Sequence, residues 1–401
     1  MEQETTVRPN VAELVPPELW PDPHPHYHRM RADTPVKAVP EWDEYVLTRW
    51  ADCEKVLRDP TMSSAPESRR RQPDAMDFGG LERPRSMLMM DPPDHTRLRK
   101  LVSKAFTPRT VEQLRPHVAD LVAGMLDAAD PTGFDLIATV GYPLPVTVIC
   151  ELLGVPPEDQ HLFGPWSADA SRMLDGGLDD ATIQRGLLAF MSLVNYLNGI
   201  FEERRAHPRD DLLTALLAAE EDGDKLSEEE LRGTVVLLFV AGHETTTNLI
   251  GNGTVALLRQ RREWDRLIAD PSLAPGAVDE VLRYDGPVHL TGRTATVPTQ
   301  VGDVLVEPGQ GLVTLLAAAN RDPERFPDPD RLDIARADNH HLTFSHGIHY
   351  CLGAALARLE GQEVFKALTH RFPTLELTEE PVHREHFVLR GYQAVHVAAP
   401  R

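Results

Sequence analysis

The sequence predicts a mainly α-helical protein with a smaller β-rich lobe, and three observations carry that reading. Helical patterning runs through 111–130, 134–153 and 181–206, with Pro/Gly breaks between the segments. A longer helix opens at the capping box Ser227-Glu228-Glu229-Glu230 and continues to about Leu258, roughly 45–50 Å at about 1.5 Å per residue. Strand-like alternation is confined to short stretches near 36–48, 291–315 and 382–397.

Composition narrows the function classes. The 401 residues have room for one large domain or two to three ordinary ones, and no repeat or low-complexity linker divides them. Net charge is −21, from 41 Lys+Arg against 62 Asp+Glu, which argues against a nucleic-acid or anionic-membrane surface. Cys53, Cys150 and Cys351 are too few and too distant for a disulfide framework and suit a reducing cytoplasm. Met1-Glu2-Gln3-Glu4 shows no signal-peptide pattern, and apolar runs such as 235–241 are too short to span a bilayer. A cytoplasmic protein with no membrane segment is expected.

In chain order, His24, His26 and His28 alternate among prolines, as an entry loop before a short helix or as a metal-binding tract. Residues 36–48 read as a hairpin, 50–57 as helix, and 61–86 as a long mobile loop. Met87, Leu88, Met89 and Met90 suit an irregular core or an adaptable pocket wall. Asp91-Pro92-Pro93-Asp94 opens a helix that puts His95 and Arg99 on one face. Arg97, Lys100 and Lys104 lie on another, a solvated face or a docking patch on an acidic protein. Segment 163–180 reads as a flexible connection, 210–220 and 278–284 as short helices, and 320–336 as irregular.

The middle of the long helix is unusual. Val240-Ala241-Gly242-His243-Glu244-Thr245-Thr246-Thr247 places a glycine, a carboxylate and β-branched alcohols where leucines would be more stable. A buried acid beside an alcohol costs stability unless it has a task. His243-Glu244 is no zinc-protease motif, because Thr247 stands where the second histidine is needed. Gly251-x-Gly253 lies within a helix, so it is no dinucleotide fingerprint.

Cys351 follows Phe344, Gly347 and His349 in a glycine-punctuated loop and precedes a helical run, 354–368. Unpaired N–H groups and the helix dipole there favour the thiolate, the form that ligates metal. Gly347 allows a tight turn, and Gly353 allows the backbone to approach a flat ligand.

Phe-x-x-Gly-x-His-x-Cys-x-Gly closely resembles the proximal-loop signature of the cytochrome P450 haem-thiolate monooxygenases. Four further stretches resemble that family in its order: His95-x-x-x-Arg99, Ala241-Gly242-x-Glu244-Thr245, Glu280-x-x-Arg283 and Phe326 to Leu332. The resemblance spans essentially the whole chain and implies one P450 domain over 1–401, a helical body with a β-rich lobe, and haem b (iron protoporphyrin IX). It implies Cys351 as iron ligand, with Ala241, Gly242, Phe344, Gly347 and Gly353 beside the haem. His95, Arg99, Arg293 and His349 are implied as propionate partners, and Glu280, Arg283 and Arg331 as a buried ion network. Glu244 and Thr245 are implied as the proton-delivering pair, with Gly242 leaving room for dioxygen.

By analogy alone, the substrate pocket comprises Met87, Leu88, Met89, Leu237, Val240, Val288, His289, Leu290, Val388 and Leu389. The implied activity is hydroxylation or epoxidation of an apolar small molecule, natural-product, steroid, terpenoid or polyketide-like. It would use O2 and two electrons from a ferredoxin and its NAD(P)H-dependent reductase, docking on a monomer near Arg97, Lys100 and Lys104. A haem-thiolate enzyme of another kind, such as one that couples rings, and a haem sensor or electron carrier are the alternatives. Ser345 and Leu332 depart from the family's usual glycine and phenylalanine, and Ser345 is expected to alter bonding near the sulfur.

Overall fold

Seven helices position the site in a computed structural model that describes residues 14–71, 86–103, 106–175, 178–209, 211–218, 220–221 and 224–400. They are α1 (Asp94–Ser103), α2 (Pro143–Leu152), α3 (Gln160–Arg172), α4 (Asp180–Ala206), α5 (Glu228–Arg259), α6 (Ala274–Asp285) and α7 (Ala354–Arg371). The capping box of α5 is present: Ser227 Oγ accepts from the Glu230 amide at 3.1 Å, and Glu230 Oε2 accepts from the Ser227 amide at 2.9 Å.

Helix α5 is 32 residues long, and from Thr246 to Leu257 every side chain is buried. A helix enclosed on all sides needs no amphipathic stripe. Its glycines serve packing. A Cβ on Gly253 would lie 2.3 Å from Phe365 Cζ of α7, so the two helices meet at a separation only glycine permits. The core shared by α5, α6 and α7 includes Leu249, Val281, Phe365 and Leu368.

The β-rich lobe is a five-stranded sheet of β1 (Val36–Val39), β2 (Glu44–Leu47), β3 (Met62–Ser63), β4 (Thr291–Ala295) and β5 (Gly311–Thr314), in the order β1-β2-β5-β4-β3. Strand β5 runs parallel to β2 and antiparallel to β4, pairing Leu312 with Arg293. The hairpin and the 291–315 region expected from alternation are therefore both present.

Three expectations fail. Residues 163–172 are not a flexible connection: α3 runs through Gly164 and Pro165 to Arg172, because Phe163, Ser167 and Ala170 bury one face, and 176–177 of the expected segment lie outside the described residues. The helix expected over 134–153 begins with a short strand, Phe134–Asp135, and a turn of π-helix, and α2 proper starts at Pro143. The tail is mostly irregular, with one strand at His396–Ala398 and isolated bridges Val288↔Leu389 and His383↔Tyr392. Only its end joins a sheet, pairing with Glu376–Leu377 and Phe134–Asp135, while Phe387 packs against the β-rich lobe and Tyr392 and Val395 against the helical body. Residues 72–85 of the expected long loop lie outside the described residues.

Candidate active site

Cys351 sits between a tight turn and the start of α7. Gly347 has φ +66°, and a Cβ on it would lie 2.4 Å from the Leu57 carbonyl oxygen, so this turn requires glycine. The Cys351 amide donates to the Phe344 carbonyl at 2.9 Å, which closes the loop. The Phe344 ring lies under the Arg358 guanidinium, 4.5 Å from ring centroid to carbon. Burial pushes the Cys351 thiol up, against opposing pulls from the Gly353 and Ala354 amides, Arg99 and Arg358. The helix N-terminus thus favours the thiolate as expected, but burial outweighs it. A bound metal cation would reverse that balance, since a coordinating thiol is deprotonated outright.

Helix α1 brings His95 and Arg99 to this loop. The His95 and His349 rings are 4.3 Å apart between centroids. Both ring nitrogens of His95, and Nε2 of His349, are buried without a hydrogen-bond partner. Arg99 Nη2 donates to the Tyr350 carbonyl at 2.6 Å. Buried Arg293 donates to the Gly292 carbonyl at 2.7 Å, and burial lowers its pKa to about 10. Burial, reinforced by Arg293 and His95, pushes His349 down to about 3. Asp91 is the carboxylate within reach of this set, and its oxygens already accept from Ser63 and Ser64. Buried donors so short of anions fit the paired carboxylates of a porphyrin.

On α5, Leu237, Ala241 and Thr245 repeat at the one-turn spacing and are only partly covered or exposed, as are Val240 and Gly242 beside them. Thr245 Oγ1 donates back to the Ala241 carbonyl at 2.9 Å, and Thr246 Oγ1 to that of Gly242 at 3.4 Å. A Cβ on Gly242 would lie 3.3 Å from Ile149 Cγ1, marking where α5 passes α2. Buried Glu244 is held by Arg384 at 2.5 Å rather than by Thr245.

A family model for cytochrome P450 matches residues 181–393. Cytochrome P450 107B1 of Saccharopolyspora erythraea is 43% identical over 376 residues, 90% of each chain. The vitamin D(3) 25-hydroxylase of Pseudonocardia autotrophica is 41% identical over 400 residues, 96% of each chain. This chain belongs to the cytochrome P450 family. The P450 fold follows as well: ligand-free Mycobacterium smegmatis CYP164A2 aligns at TM-score 0.89 and 42% identity, covering 97% of this chain and 99% of that one. As a P450 it is a haem-thiolate monooxygenase, and its cofactor is haem b.

The structure places the remaining predicted residues of this P450 unevenly. Glu280 and Arg283 form a fully buried bidentate pair with both contacts at 2.8 Å. Arg331 is a correction: its side chain is half exposed, and it joins the network only through its carbonyl, 3.1 Å from Arg283 Nη2. Arg336 takes the expected place, with Nε 3.2 Å from both Glu280 oxygens. Nothing in the irregular 320–336 stretch distinguished these two arginines.

Among the pocket candidates, Leu237 and Val240 lie on α5, while Met87 is buried in the core beside α1 and Leu88 is exposed. His289 is drawn away into a cluster, its Nδ1 3.2 Å from the Tyr27 hydroxyl and its ring against Phe387. Val288, Leu290 and Met89 are half buried, Leu389 is buried, and the Val388 amide is bound by Asp175 at 2.9 Å. On the basic face, Arg97 pairs with Glu230, and Lys104 lies outside the described residues. Ser345 Oγ is buried without a hydrogen-bond partner. Arg384 was missed entirely, because a tail arginine carries no local signal of its partner.

Proposed function

We propose that this P450 hydroxylates or epoxidises an apolar small organic molecule, with Cys351 as the iron ligand and His95, Arg99, Arg293 and His349 holding the haem propionates. The observation that carries the assignment is the buried donor set around the Cys351 loop, which has too few carboxylates of its own. Bound haem supplies oxygen activation, and a thiolate ligand pushes electron density to the iron to favour O–O cleavage. Thr245 holds a hydroxyl on the partly open face of α5, and Glu244 relays protons to it from solvent. Leu237, Val240 and Ala241 keep that wall apolar and exclude water. The vitamin D(3) 25-hydroxylase relative supports polycyclic apolar compounds as the first substrates to screen.

Two electrons come from a ferredoxin, itself reduced at the expense of NAD(P)H. Its docking face is α1, where Lys100 stands on the surface of an otherwise acidic protein. An acid–alcohol pair has no use in a haem sensor or electron carrier, which disfavours those readings.

Reduction under carbon monoxide gives the strongly red-shifted Soret band of a thiolate-bound haem, and Cys351→Ser abolishes it in folded protein. Persistence of that band in the variant overturns the assignment. Isotope from labelled O2 appearing in the product then separates oxygen insertion from ring coupling, in which both oxygen atoms leave as water.

A further inference from the structure

The carboxylate of Glu244 is 3% exposed, yet its partner Arg384 comes from the irregular tail, 140 residues further along the chain. That tail segment is held at many points. The Arg384 amide donates to the Gly391 carbonyl at 2.9 Å, and the Val388 amide to Asp175 Oδ1 at 2.9 Å. Arg172 at the end of α3 donates to the Glu385 carbonyl, and His383 stacks on Tyr392 at 4.2 Å. A backbone fixed in this way presents its guanidinium with little further ordering.

The other groups facing Glu244 are His243 on its own helix, 3.8 Å away, His386 on the tail, and Tyr142 ahead of α2. Burial keeps His243 from charging at neutral pH, and His386 lies 2.8 Å from Asp175. Arg384 is therefore the permanent cation at this position. Burial pushes the Glu244 carboxyl up, but Arg384 more than reverses this and holds it below the usual carboxylate range.

We propose that Arg384 is a positioning residue for proton delivery, keeping Glu244 ionised at the inner end of a path whose outer end is the guanidinium. This rests on the reading of Glu244 as relay acid. Arg384 is 27% exposed against 3% for Glu244, so the pair leads from solvent to the buried face of α5. Thr245 lies about 100° further round the helix, its hydroxyl bonded to the Ala241 carbonyl. In each transfer Glu244 leaves Arg384, takes one proton from water at the pair, gives one proton up on the Thr245 side, and returns as carboxylate. Without the guanidinium the buried carboxyl stays neutral and no longer cycles.

The test compares haem-loaded wild type, Arg384→Ala, Arg384→Lys and Glu244→Gln by product formed per NAD(P)H consumed and by infrared spectroscopy of carboxyl groups. Arg384→Ala loses roughly tenfold or more in coupled turnover, the low end of what a misplaced general acid–base group costs. Its carbon monoxide spectrum and substrate affinity stay as in wild type, and Arg384→Lys restores most of the coupling. At neutral pH Arg384→Ala also gains a protonated-carboxyl band that is absent when Glu244→Gln is added. The proposal is overturned if Glu244→Gln uncouples the enzyme while Arg384→Ala does not. It is equally overturned if the alanine variant uncouples with Glu244 still ionised, which reduces Arg384 to a loop anchor. If Glu244→Gln itself stays coupled, the relay reading falls and this proposal falls with it. Should Arg384→Ala fail to take up haem, Arg384→Gln, which keeps length and amide donors without charge, carries the same comparisons.

Discussion

Ser345 occupies a backbone position with φ +60°, where an L side chain is strained and glycine is not. Its amide donates to the Leu342 carbonyl at 2.7 Å, so the loop around Cys351 enforces this conformation despite the side chain. Ser345→Gly should therefore stabilise the fold by about 1 kcal/mol, read as a higher urea midpoint. Glu360 in α7 presents the opposite case. Burial alone pushes it up to about 8, and its Oε2 has no hydrogen-bond partner. The folded state keeps this proton while the unfolded chain releases it near 4.5, so stability falls as pH rises from about 4.5 to about 8. Glu360→Gln should flatten that decline and be more stable at pH 8 by on the order of a few kcal/mol, measured by urea unfolding across the window. A variant that tracks wild type at every pH would show that Glu360 ionises normally in the fold.

Among the elements, α5 and α7 are bound together where Gly253 meets Phe365. Gly253→Ala should cost about 1–3 kcal/mol through overpacking, because the obstructing ring is itself fully buried. Unchanged thermal stability would mean that the helices separate freely. The sequence made α5 legible through its capping box and its length, and it marked Ala241 to Thr245 as out of place for a core. It did not show that Gly251 and Gly253 serve packing, since that depends on which helix passes by. Helix α3 was obscured for a related reason: Gly164 and Pro165 argue locally for a break, and the buried face of Phe163, Ser167 and Ala170 overrides them.

For the molecule as a whole, a net charge of −21 would repel an acidic electron donor, so association needs a local exception. The proposed docking face on α1, with Arg97, Arg99 and Lys100, is the candidate for that exception. Reduction by an acidic ferredoxin should slow as salt rises and the Debye length falls below about 10 Å, and Lys100→Glu should slow it at low salt while leaving the carbon monoxide spectrum intact. A rate indifferent to both would move the docking face elsewhere. Among the described residues no helix is long and apolar enough to cross a membrane.

The sequence by itself determined the chemistry: a cysteine in a glycine-punctuated loop, an acid and an alcohol inside a long helix, and basic residues at spacings that resemble one family. Those features are local, set by a few neighbouring residues and by helical periodicity. Tertiary structure alone decided which partners meet across the chain. It chose Arg336 over Arg331 for Glu280, gave His289 to Tyr27, and brought Arg384 to Glu244 from 140 residues away. A long-range ion pair leaves no trace in the spacing of either residue, because its geometry exists only once the elements carrying both have packed.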